Sequence, residues 1–269
     1  MTKTRPTILL TNDDGLGAAG IRALEDAMRE VAGEVWVVAP LEEKSATSHA
    51  LSLRTPIRFK QVAERCFAVE GTPADCVILA LNKLMPAPPD LTISGINRGG
   101  NMGENVFYSG TLAAAFESTL NRVPAFAVSV ASRGEFHYEV AAQFAARLAR
   151  KLLDDLEPIR RGTVLNVNVP HPWKNGVRVT RQSRKVTKNL LIEGADPRGQ
   201  PYFWIHEEID TSRIQPNTDY AAILDGAISV TPMQIDRTEE SAIDRLNNWL
   251  EELNGFSLEA KKGAASSAD

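Results

Sequence analysis

The stretch Ile8-Leu9-Leu10-Thr11-Asn12-Asp13-Asp14-Gly15 decides the fold of this chain, because an apolar run stops there on two adjacent carboxylates and a glycine. A short apolar run closed by a turn signal predicts a buried strand with both acids at its carboxyl end. Ligands bind at that edge of an open α/β sheet. Two adjacent carboxylates repel each other, and a divalent cation relieves the repulsion. The sequence Asn-Asp-Asp-Gly is also typical of a turn or a helix cap, so the motif alone leaves both interpretations open.

Helical and extended patterns alternate along residues 1–170. A helical face after the first strand carries Ile21, Leu24, Met28 and Val31, and it is followed by the apolar run 35–39. The alternation then continues with predicted strands at 91–94, 126–130 and 164–169, and with helices at 77–85, 113–120 and 140–152. The last of these helices should turn Val140, Phe144, Leu148 and Leu152 inward. Apolar strands that alternate with helices predict a doubly wound, mostly parallel, Rossmann-like α/β core.

The composition and the hydrophobic pattern change after His171, where prolines, glycines and short alternating segments become frequent. Segments 177–180 and 202–205 have the alternation of hairpins or extended arms, so we expect 171–233 to be an arm region that returns to the core at its end. A last helix is expected within 234–254, capped by Thr238, with Ile243, Leu246, Leu250 and Leu253 on its apolar side. Small and polar residues predict a disordered tail over 255–269.

Composition excludes several classes of protein. The 269 residues are 43% hydrophobic, enough for a sizeable core, and the net charge of −4 favours neither duplex nucleic acid nor an anionic membrane as partner. No apolar run approaches the roughly 20 residues needed to span a bilayer, and no signal peptide precedes the first strand, so we expect a cytoplasmic protein. Cys66 and Cys76 fit neither a disulfide framework nor a zinc site.

Three more polar segments lie beside predicted strands or helices. Glu42-Glu43-Lys44-Ser45-Ala46-Thr47-Ser48-His49 follows the second strand, and the glycine-rich loop 94–103, which contains Asn97, follows the third. Tyr108-Ser109-Gly110-Thr111 precedes a helix, whose N-terminal amides can bind a phosphate. Two of these segments also have a purely structural interpretation. The glycine-rich segment can be simply a loop, and Ser109 or Thr111 can simply cap the helix. Their convergence on one sheet edge favours a ligand site.

The oxygen-rich donor set predicts one divalent metal ion, Mg²⁺ or Mn²⁺, because no cluster of His or Cys favours zinc or copper. Two carboxylates leave coordination positions for water and a phosphate oxygen, which fits hydrolysis by a metal-activated nucleophile. No dinucleotide-binding, Walker-type or Gly-x-Ser-x-Gly motif is present. His49 lies near the predicted site, where it could either transfer a proton or have a structural role.

With these residues assembled, the chain resembles the SurE family (survival protein E) of metal-dependent nucleoside monophosphatases. The matching motifs run from the first strand to about residue 233: 10–15, 38–40 with 45–47, 71–77, 94–99, 101–103, 108–111, 181–184 and 229–232. The resemblance implies a SurE-like fold and hydrolysis of nucleoside 5′-monophosphates, with 3′-monophosphates and short polyphosphate as further substrates. It also implies homodimers or homotetramers that exchange arms from the later part of the chain.

The resemblance assigns roles to particular residues. It implies a divalent metal bound by Asp13, Asp14, Ser45 and Asn97, of which Asp13, Asp14 and Asn97 are catalytic. Substrate phosphate would be bound by Asn12, Asn97, Gly100, Asn101, Ser109, Gly110 and Thr111. No residue is assigned as general acid.

Two other classes of function compete with a hydrolase. A phospho-signalling receiver also pairs acids after a first strand, but Ser94-Gly95 stands where such a domain has a lone aspartate, and the chain is about twice the length required. A nucleotide-binding or phosphate-binding regulator without turnover would use the same site. The sequence does not exclude this second alternative.

Overall fold

The structure, a computed structural model, describes residues 6–132, 134–157, 159, 162–184 and 186–253, apart from the side chain of Glu252. The chain divides into two compact units at the Ile235–Asp236 boundary. The predicted disordered tail, 255–269, lies outside the described residues. Within the described part of the chain, no helix has the length and apolar character needed to cross a membrane.

Strands and helices alternate through most of the first unit. The strands are β1 (Thr7–Thr11), β2 (Glu34–Pro40), β3 (Arg58–Ala63), β4 (Cys66–Glu70), β5 (Leu91–Arg98), β6 (Ala125–Ala131), β7 (Thr163–Pro170), β8 (Asn175–Val179), β9 (Thr187–Ala195), β10 (Pro201–Ile209) and β11 (Ala227–Gln234). The helices are α1 (Ala19–Met28), α2 (Pro73–Leu79), α3 (Gly110–Leu120), α4 (Glu139–Asp154), α5 (Asp219–Leu224) and, in the second unit, α6 (Glu240–Leu250). A π-helical turn, Ala80–Leu84, extends α2.

Nine strands form one sheet in the order β3-β4-β2-β1-β5-β6-β7-β11-β8. Six of its neighbouring pairs are parallel, and only β3/β4 and β7/β11 are antiparallel. Alternate residues of β1 serve opposite faces: Leu10 packs with α1 and α4, whereas Leu9 packs on the other face with residues of α2. This arrangement confirms the predicted doubly wound, mostly parallel α/β sheet.

Helix α4 packs mainly through small residues, which lie beside the predicted inward residues. Its buried residues are Ala141, Ala142, Ala145, Ala146, Ala149 and Leu152. Of the predicted inward residues only Leu152 is buried, whereas Val140, Phe144 and Leu148 are partly buried at the margin of the same core. The predicted residues do face the core, but the prediction missed the alanines at the centre of the contact, because it ranked positions by hydrophobicity, whereas small methyl groups permit close packing.

Several predicted boundaries were also wrong. Strand β5 continues past Ser94 to Arg98, and α3 begins at Gly110 rather than at 113. Segment 177–180 is not an arm, since β8 pairs with β11 as an edge of the main sheet. Thr238 does not cap α6: its backbone N–H donates to Asp236, and α6 begins at Glu240.

Strands β9 and β10 form a separate antiparallel hairpin, as predicted for the arm region. Large apolar side chains are exposed on both of its faces. These residues include Leu191, Ile192, Tyr202, Phe203, Trp204 and Ile205, with Trp204 68% exposed. The hairpin therefore presents much more apolar surface than a solvated two-stranded sheet requires.

Candidate active site

Asp13 lies just beyond the end of β1, at the carboxyl edge of the parallel sheet. Its side chain is buried, and its Oδ1 accepts a 2.6 Å hydrogen bond from the Thr111 hydroxyl at the start of α3. The backbone carbonyl of Asp13 accepts a hydrogen bond from the Lys44 N–H, which ties β1 to the loop after β2. The Asp13 carboxylate is thus fixed by two neighbouring elements.

Burial disfavours the charged form of Asp13 and raises its pKa from 3.8 to about 6. The hydrogen bond from Thr111 lowers the pKa, and the nearby charge of Asp14 raises it further. A carboxylate held in such a place gains stabilisation from any cation that binds beside it.

Asp14 is less buried than Asp13 and points to a neighbouring region. Its Oδ2 accepts a hydrogen bond of 2.9 Å from the Arg98 backbone N–H. Burial raises the pKa of Asp14, the Arg98 bond lowers it, and the charge of Glu43 raises it. Asp14 lines a second cavity of about 590 Å³ with Arg98, Phe136 and other residues.

The loop after β2 brings Ser45 to the site. Ser45 is exposed, and its hydroxyl donates to Glu43 at 2.7 Å, which leaves oxygen lone pairs for a ligand. Ser48 anchors the loop through bonds from its N–H and hydroxyl to the carbonyls of Tyr108 and Phe107. The loop is therefore attached to the segment that precedes α3.

Asn97 lies near the end of β5, where the strand passes a tight contact with β6. A Cβ at Gly95 would lie 2.3 Å from the Val128 carbonyl oxygen, and Gly95 has φ of +141°, so only glycine fits there. The Asn97 Nδ2 donates to the Gly99 carbonyl at 2.8 Å. Its Oδ1 is left as the acceptor that can face a cation.

The start of α3 confirms the capping interpretation of Ser109. The Ser109 Oγ accepts a hydrogen bond from the Leu112 N–H at 3.1 Å, and α3 begins at the next residue, Gly110. Ser109 also lines the main cavity, so capping does not prevent it from meeting a ligand. Thr111 is fully buried, and its hydroxyl donates to Asp13.

A cavity of about 540 Å³ joins these elements, within the range of small-molecule sites. Its lining residues are Asp13, Ser45, Ala46, Asn97, Arg98, Gly99, Gly100, Asn101, Asn105, Tyr108, Ser109, Asn189, Ile205 and Glu207. The structure therefore brings six predicted site residues to one cavity: Asp13, Ser45, Asn97, Gly100, Asn101 and Ser109. Asn12, Asp14, Gly110 and Thr111 do not line it.

Asn12 and Gly110 lie close to the cavity without lining it. Asn12 is fully buried, its Nδ2 donates to the Gly15 carbonyl at 2.9 Å, and its Oδ1 has no hydrogen-bond partner among the described residues. A Cβ at Gly110 would lie 2.9 Å from Oδ2 of Asp13, so α3 begins in direct contact with the carboxylate.

Two parts of the site were missed by sequence reasoning. Asn166 and Asn168 are fully buried in β7 and bind the backbone of Asn101. The sequence shows them as two asparagines within an otherwise apolar strand, Val-Leu-Asn-Val-Asn-Val. Because they are two positions apart, their side chains lie on the same face of the strand. The hairpin residues Asn189, Ile205 and Glu207 had no local signal at all.

Asp219, also missed, connects the glycine-rich loop with the base of the hairpin. Its carboxylate is fully buried and accepts hydrogen bonds from the Gly103 N–H at 2.9 Å and the Ser183 N–H at 3.1 Å. The Ser183 hydroxyl and the Tyr220 N–H also donate to it. Four donors therefore compensate for its burial.

His49 has a structural contact instead of a place in the cavity. Its Nε2 lies 2.8 Å from Oε2 of Glu117 in α3, and it is absent from the residues that line the cavity. This pair links the loop after β2 to α3. The structural interpretation of His49 is the one that these contacts favour.

The donor atoms around Asp13 fit a hard divalent cation. Carboxylate, carboxamide and hydroxyl oxygens are available from Asp13, Asn97 and Ser45, and the buried Asp13 carboxylate needs a positive partner. Among the described residues no group of three or more His, Cys, Asp and Glu could hold a metal ion. A cation at this site would therefore depend on the Asn and Ser oxygens besides the carboxylates.

The fold and the cavity define an α/β protein with an oxygen-lined ligand site at the carboxyl edge of its sheet. The family model for survival protein SurE matches residues 8–189. A protein from Desulforudis audaxviator named 5′-nucleotidase SurE is 43% identical to this chain, and the match covers 90% of this chain and 96% of that protein. A protein of the same name from Geobacter sulfurreducens is 46% identical, and the match covers 90% of this chain and 93% of that protein.

A solved structure agrees with these sequence matches. The crystal structure of the SurE protein from Aquifex aeolicus has a TM-score of 0.81 and 36% sequence identity, and the match covers 91% of this chain and 99% of that chain. This chain belongs to the SurE family, which confirms the resemblance stated above.

Proposed function

We propose that this protein is a metal-dependent 5′-nucleotidase that hydrolyses nucleoside 5′-monophosphates to nucleoside and phosphate. The observation that carries the proposal is the convergence of Asp13, Ser45, Asn97 and Ser109 on one cavity at the sheet edge. The names of the similar proteins from Desulforudis and Geobacter support the same reaction.

Asp13, Asp14, Ser45 and Asn97 are proposed to hold one Mg²⁺ or Mn²⁺ ion. When bound, such an ion lowers the pKa of water and stabilises charge on phosphoryl oxygens. The chain's own contribution is to fix the oxygens: Thr111 holds Oδ1 of Asp13, and the Gly99 carbonyl orients the carboxamide of Asn97. These contacts lower the cost of organising the site during reaction.

The phosphate is proposed to bind near Asn97, Gly100, Asn101 and Ser109. Asn12, Gly110 and Thr111 are also proposed to support phosphate binding, from positions next to the cavity that do not line it. The side of the cavity formed by Asn105, Asn189, Ile205 and Glu207, here called the hairpin side, offers polar and apolar groups to a nucleoside. We propose 3′-monophosphates and short polyphosphate as further substrates, as the resemblance to the SurE family implies.

Homodimers or homotetramers that exchange the β9–β10 hairpin are part of the proposal. The apolar side chains exposed on both faces of the hairpin support it, since Trp204 and Leu191 are each 68% exposed. We also propose a cytoplasmic location, where a reducing environment suits two cysteines without a disulfide.

The first experiment is phosphate release from chelator-treated protein with Mn²⁺, Mg²⁺ or no metal. The substrates are a panel of 5′- and 3′-nucleoside monophosphates and short polyphosphate. We expect turnover that returns with metal and is highest on 5′-monophosphates. A folded protein that binds nucleotide but releases no phosphate with either metal would instead be a non-catalytic nucleotide-binding regulator.

A further inference from the structure

The peptide of Asn101 is held on both sides by asparagine side chains of β7. The Asn101 N–H donates to Oδ1 of Asn168 at 2.8 Å. Its carbonyl accepts hydrogen bonds from Nδ2 of Asn166 at 2.7 Å and Nδ2 of Asn168 at 3.1 Å. Asn166 and Asn168 are both fully buried, so these bonds form without competition from solvent.

The side chain of Asn101 continues this network toward Asp13. Its Nδ2 donates to Ser129 Oγ at 2.9 Å and lies 3.3 Å from the Thr111 hydroxyl. An amide nitrogen can only donate, so the hydroxyl of Thr111 accepts from it and is free to use its single proton elsewhere. That proton goes to Oδ1 of Asp13 at 2.6 Å.

The network therefore sets the direction of a hydrogen bond to the central carboxylate. With Thr111 donating to Oδ1, the carboxylate of Asp13 is held in one orientation at the cavity wall. The order of contacts is Asn166 and Asn168, then Asn101, then Thr111, then Asp13. Asn101 itself lines the cavity, so its peptide also sets the position of the adjacent glycine-rich loop.

We propose that Asn166 and Asn168 are positioning residues for the metal and phosphate site. The inference rests on the proposed function, and it assigns a role to two residues that do not line the cavity. Buried asparagines cost free energy unless they are hydrogen-bonded, and β7 is otherwise apolar at its centre. Within the part of the chain that the structure describes, their side-chain hydrogen bonds go to the backbone of Asn101, which lines the cavity, or join the two asparagines to each other.

Asn168→Asp is the first test, because it keeps the shape and the acceptor for the Asn101 N–H while replacing the donor to the Asn101 carbonyl with an oxygen. Asn166→Ala is the milder second variant, since Asn168 still binds the same carbonyl. We expect Asn168→Asp to weaken Mn²⁺ binding and to reduce kcat by about tenfold to hundredfold, with a smaller change in KM. Asn166→Ala should change the same quantities in the same direction.

The control is Ser118→Ala, which removes a buried hydrogen bond of 2.6 Å to Thr92 that has no part in the cavity. It should lower thermal stability without changing Mn²⁺ affinity. If both asparagine variants fold and keep wild-type Mn²⁺ affinity, phosphate affinity and kcat, the inference is wrong. It is equally wrong if their losses only match the loss of folded protein, as measured in parallel with Ser118→Ala.

Binding measurements separate this inference from the proposed function. Mn²⁺ affinity is measured by electron paramagnetic resonance and inorganic phosphate affinity by calorimetry, on the full-length protein. A wild-type protein that binds both but hydrolyses nothing would contradict the proposed function, and the variants would still test the positioning role. Active wild-type protein with unaffected variants would contradict only the positioning role. If Asn168→Asp does not fold, Asn166→Ala decides the question by the same two affinities.

Discussion

Gly110 and Asp13 are in contact at the point where α3 meets the end of β1. A Cβ at Gly110 would lie 2.9 Å from both the Cβ and the Oδ2 of Asp13, closer than such atoms approach in proteins. The absence of a side chain at the first residue of α3 therefore allows the helix to begin against the carboxylate.

Gly110→Ala should inactivate the enzyme without unfolding it. Alanine is compatible with a helix, but its methyl group would push the Asp13 side chain out of position, and small displacements of reacting groups cost about a hundredfold in rate. The measurement is kcat at saturating Mn²⁺, with circular dichroism as a check on folding. Gly17→Ala, where a Cβ would meet open space, is the matched control and should keep normal activity. Equal activity of Gly110→Ala and Gly17→Ala would show that the close contact between Gly110 and Asp13 is not needed for activity.

Asp13→Asn should reduce Mn²⁺ affinity and turnover by more than about a hundredfold, because asparagine keeps the shape of the side chain but not its charge. The measurements are metal titration of phosphate release and direct Mn²⁺ binding. Asp26→Asn, which removes an exposed charge from α1, is the control for net charge and should behave as wild type. Near-normal activity of Asp13→Asn would remove Asp13 from the proposed metal site.

The same substitution should make the metal-free protein more stable at neutral pH. Burial raises the pKa of Asp13 from 3.8 to about 6, so the folded state holds a proton over a pH range in which the unfolded chain has lost it. Stability from this residue is thus present at low pH and is lost as pH rises through about 6. Above that pH the charged carboxylate costs the folded state up to about 3 kcal/mol, which asparagine avoids.

Urea denaturation of the wild-type and Asp13→Asn proteins in the presence of chelator, at pH 7.5 and near pH 4, tests the direction of this difference in stability. We expect Asp13→Asn to be the more stable at pH 7.5 and the difference to shrink toward zero near pH 4. Added Mn²⁺ should reverse the order at pH 7.5, since it binds the ionised wild-type site. Identical stabilities at both pH values would show that the charge of Asp13 is compensated within the chain.

Glu207→Gln should impair nucleotide binding more than chemistry. Glu207 Oε2 accepts a 3.0 Å hydrogen bond from Asn105 Nδ2, and both residues line the hairpin side of the cavity. We expect KM for nucleoside monophosphates to rise up to about tenfold, while turnover of a small aryl phosphate stays unchanged. Glu208→Gln is the control, because Glu208 neighbours Glu207 in β10 without lining the cavity. A change in aryl phosphate turnover equal to that with nucleotides would place Glu207 nearer the phosphate.

Trp204→Asp should dissociate the proposed oligomer. Trp204 pairs with Ile192 across the hairpin, and these two exposed apolar side chains share one face. A charge placed there opposes burial against a second chain. Light scattering after size-exclusion chromatography measures the mass, and Leu53→Asp, at a site 84% exposed outside the hairpin, is the control. A monomeric wild-type protein, or a Trp204→Asp oligomer of unchanged mass, would contradict hairpin exchange.

Local sequence patterns were sufficient to predict the parallel core. Leu9 and Leu10 belong to an uninterrupted apolar run, and such runs in alternation with helical faces left few other folds. Strand β4 was not predicted. The edge strand β3 was also missed, and 177–180 was predicted as a hairpin or arm instead of the edge strand β8, because all residues of β3 and β8 are exposed and carry no apolar run. Their strand conformation comes from pairing with β4 and β11.

The site could be predicted as far as strand ends could be identified. Asp13 and Ser45 follow β1 and β2, Asn97 lies near the end of β5, and topology brings such positions to one edge. The contributions of Glu207 and Asn168 come from a distant hairpin and a distant strand, so only the folded chain places them near Asp13. Nothing in the sequence indicated that the Thr111 hydroxyl donates to Asp13, because that contact joins the start of α3 to the end of β1.

The buried carboxylate of Asp219 connects the loop at Gly103 to the chain at Ser183, because it accepts hydrogen bonds from both. Ser183 lies four residues before β9, so the hairpin begins from a base that is tied to the end of the glycine-rich loop. The glycine-rich loop and the base of the hairpin are therefore held together at this buried carboxylate. A displacement of the hairpin by a neighbouring chain would reach the glycine-rich loop through Asp219, and also through Gln182, whose Nε2 donates to the Gly103 carbonyl.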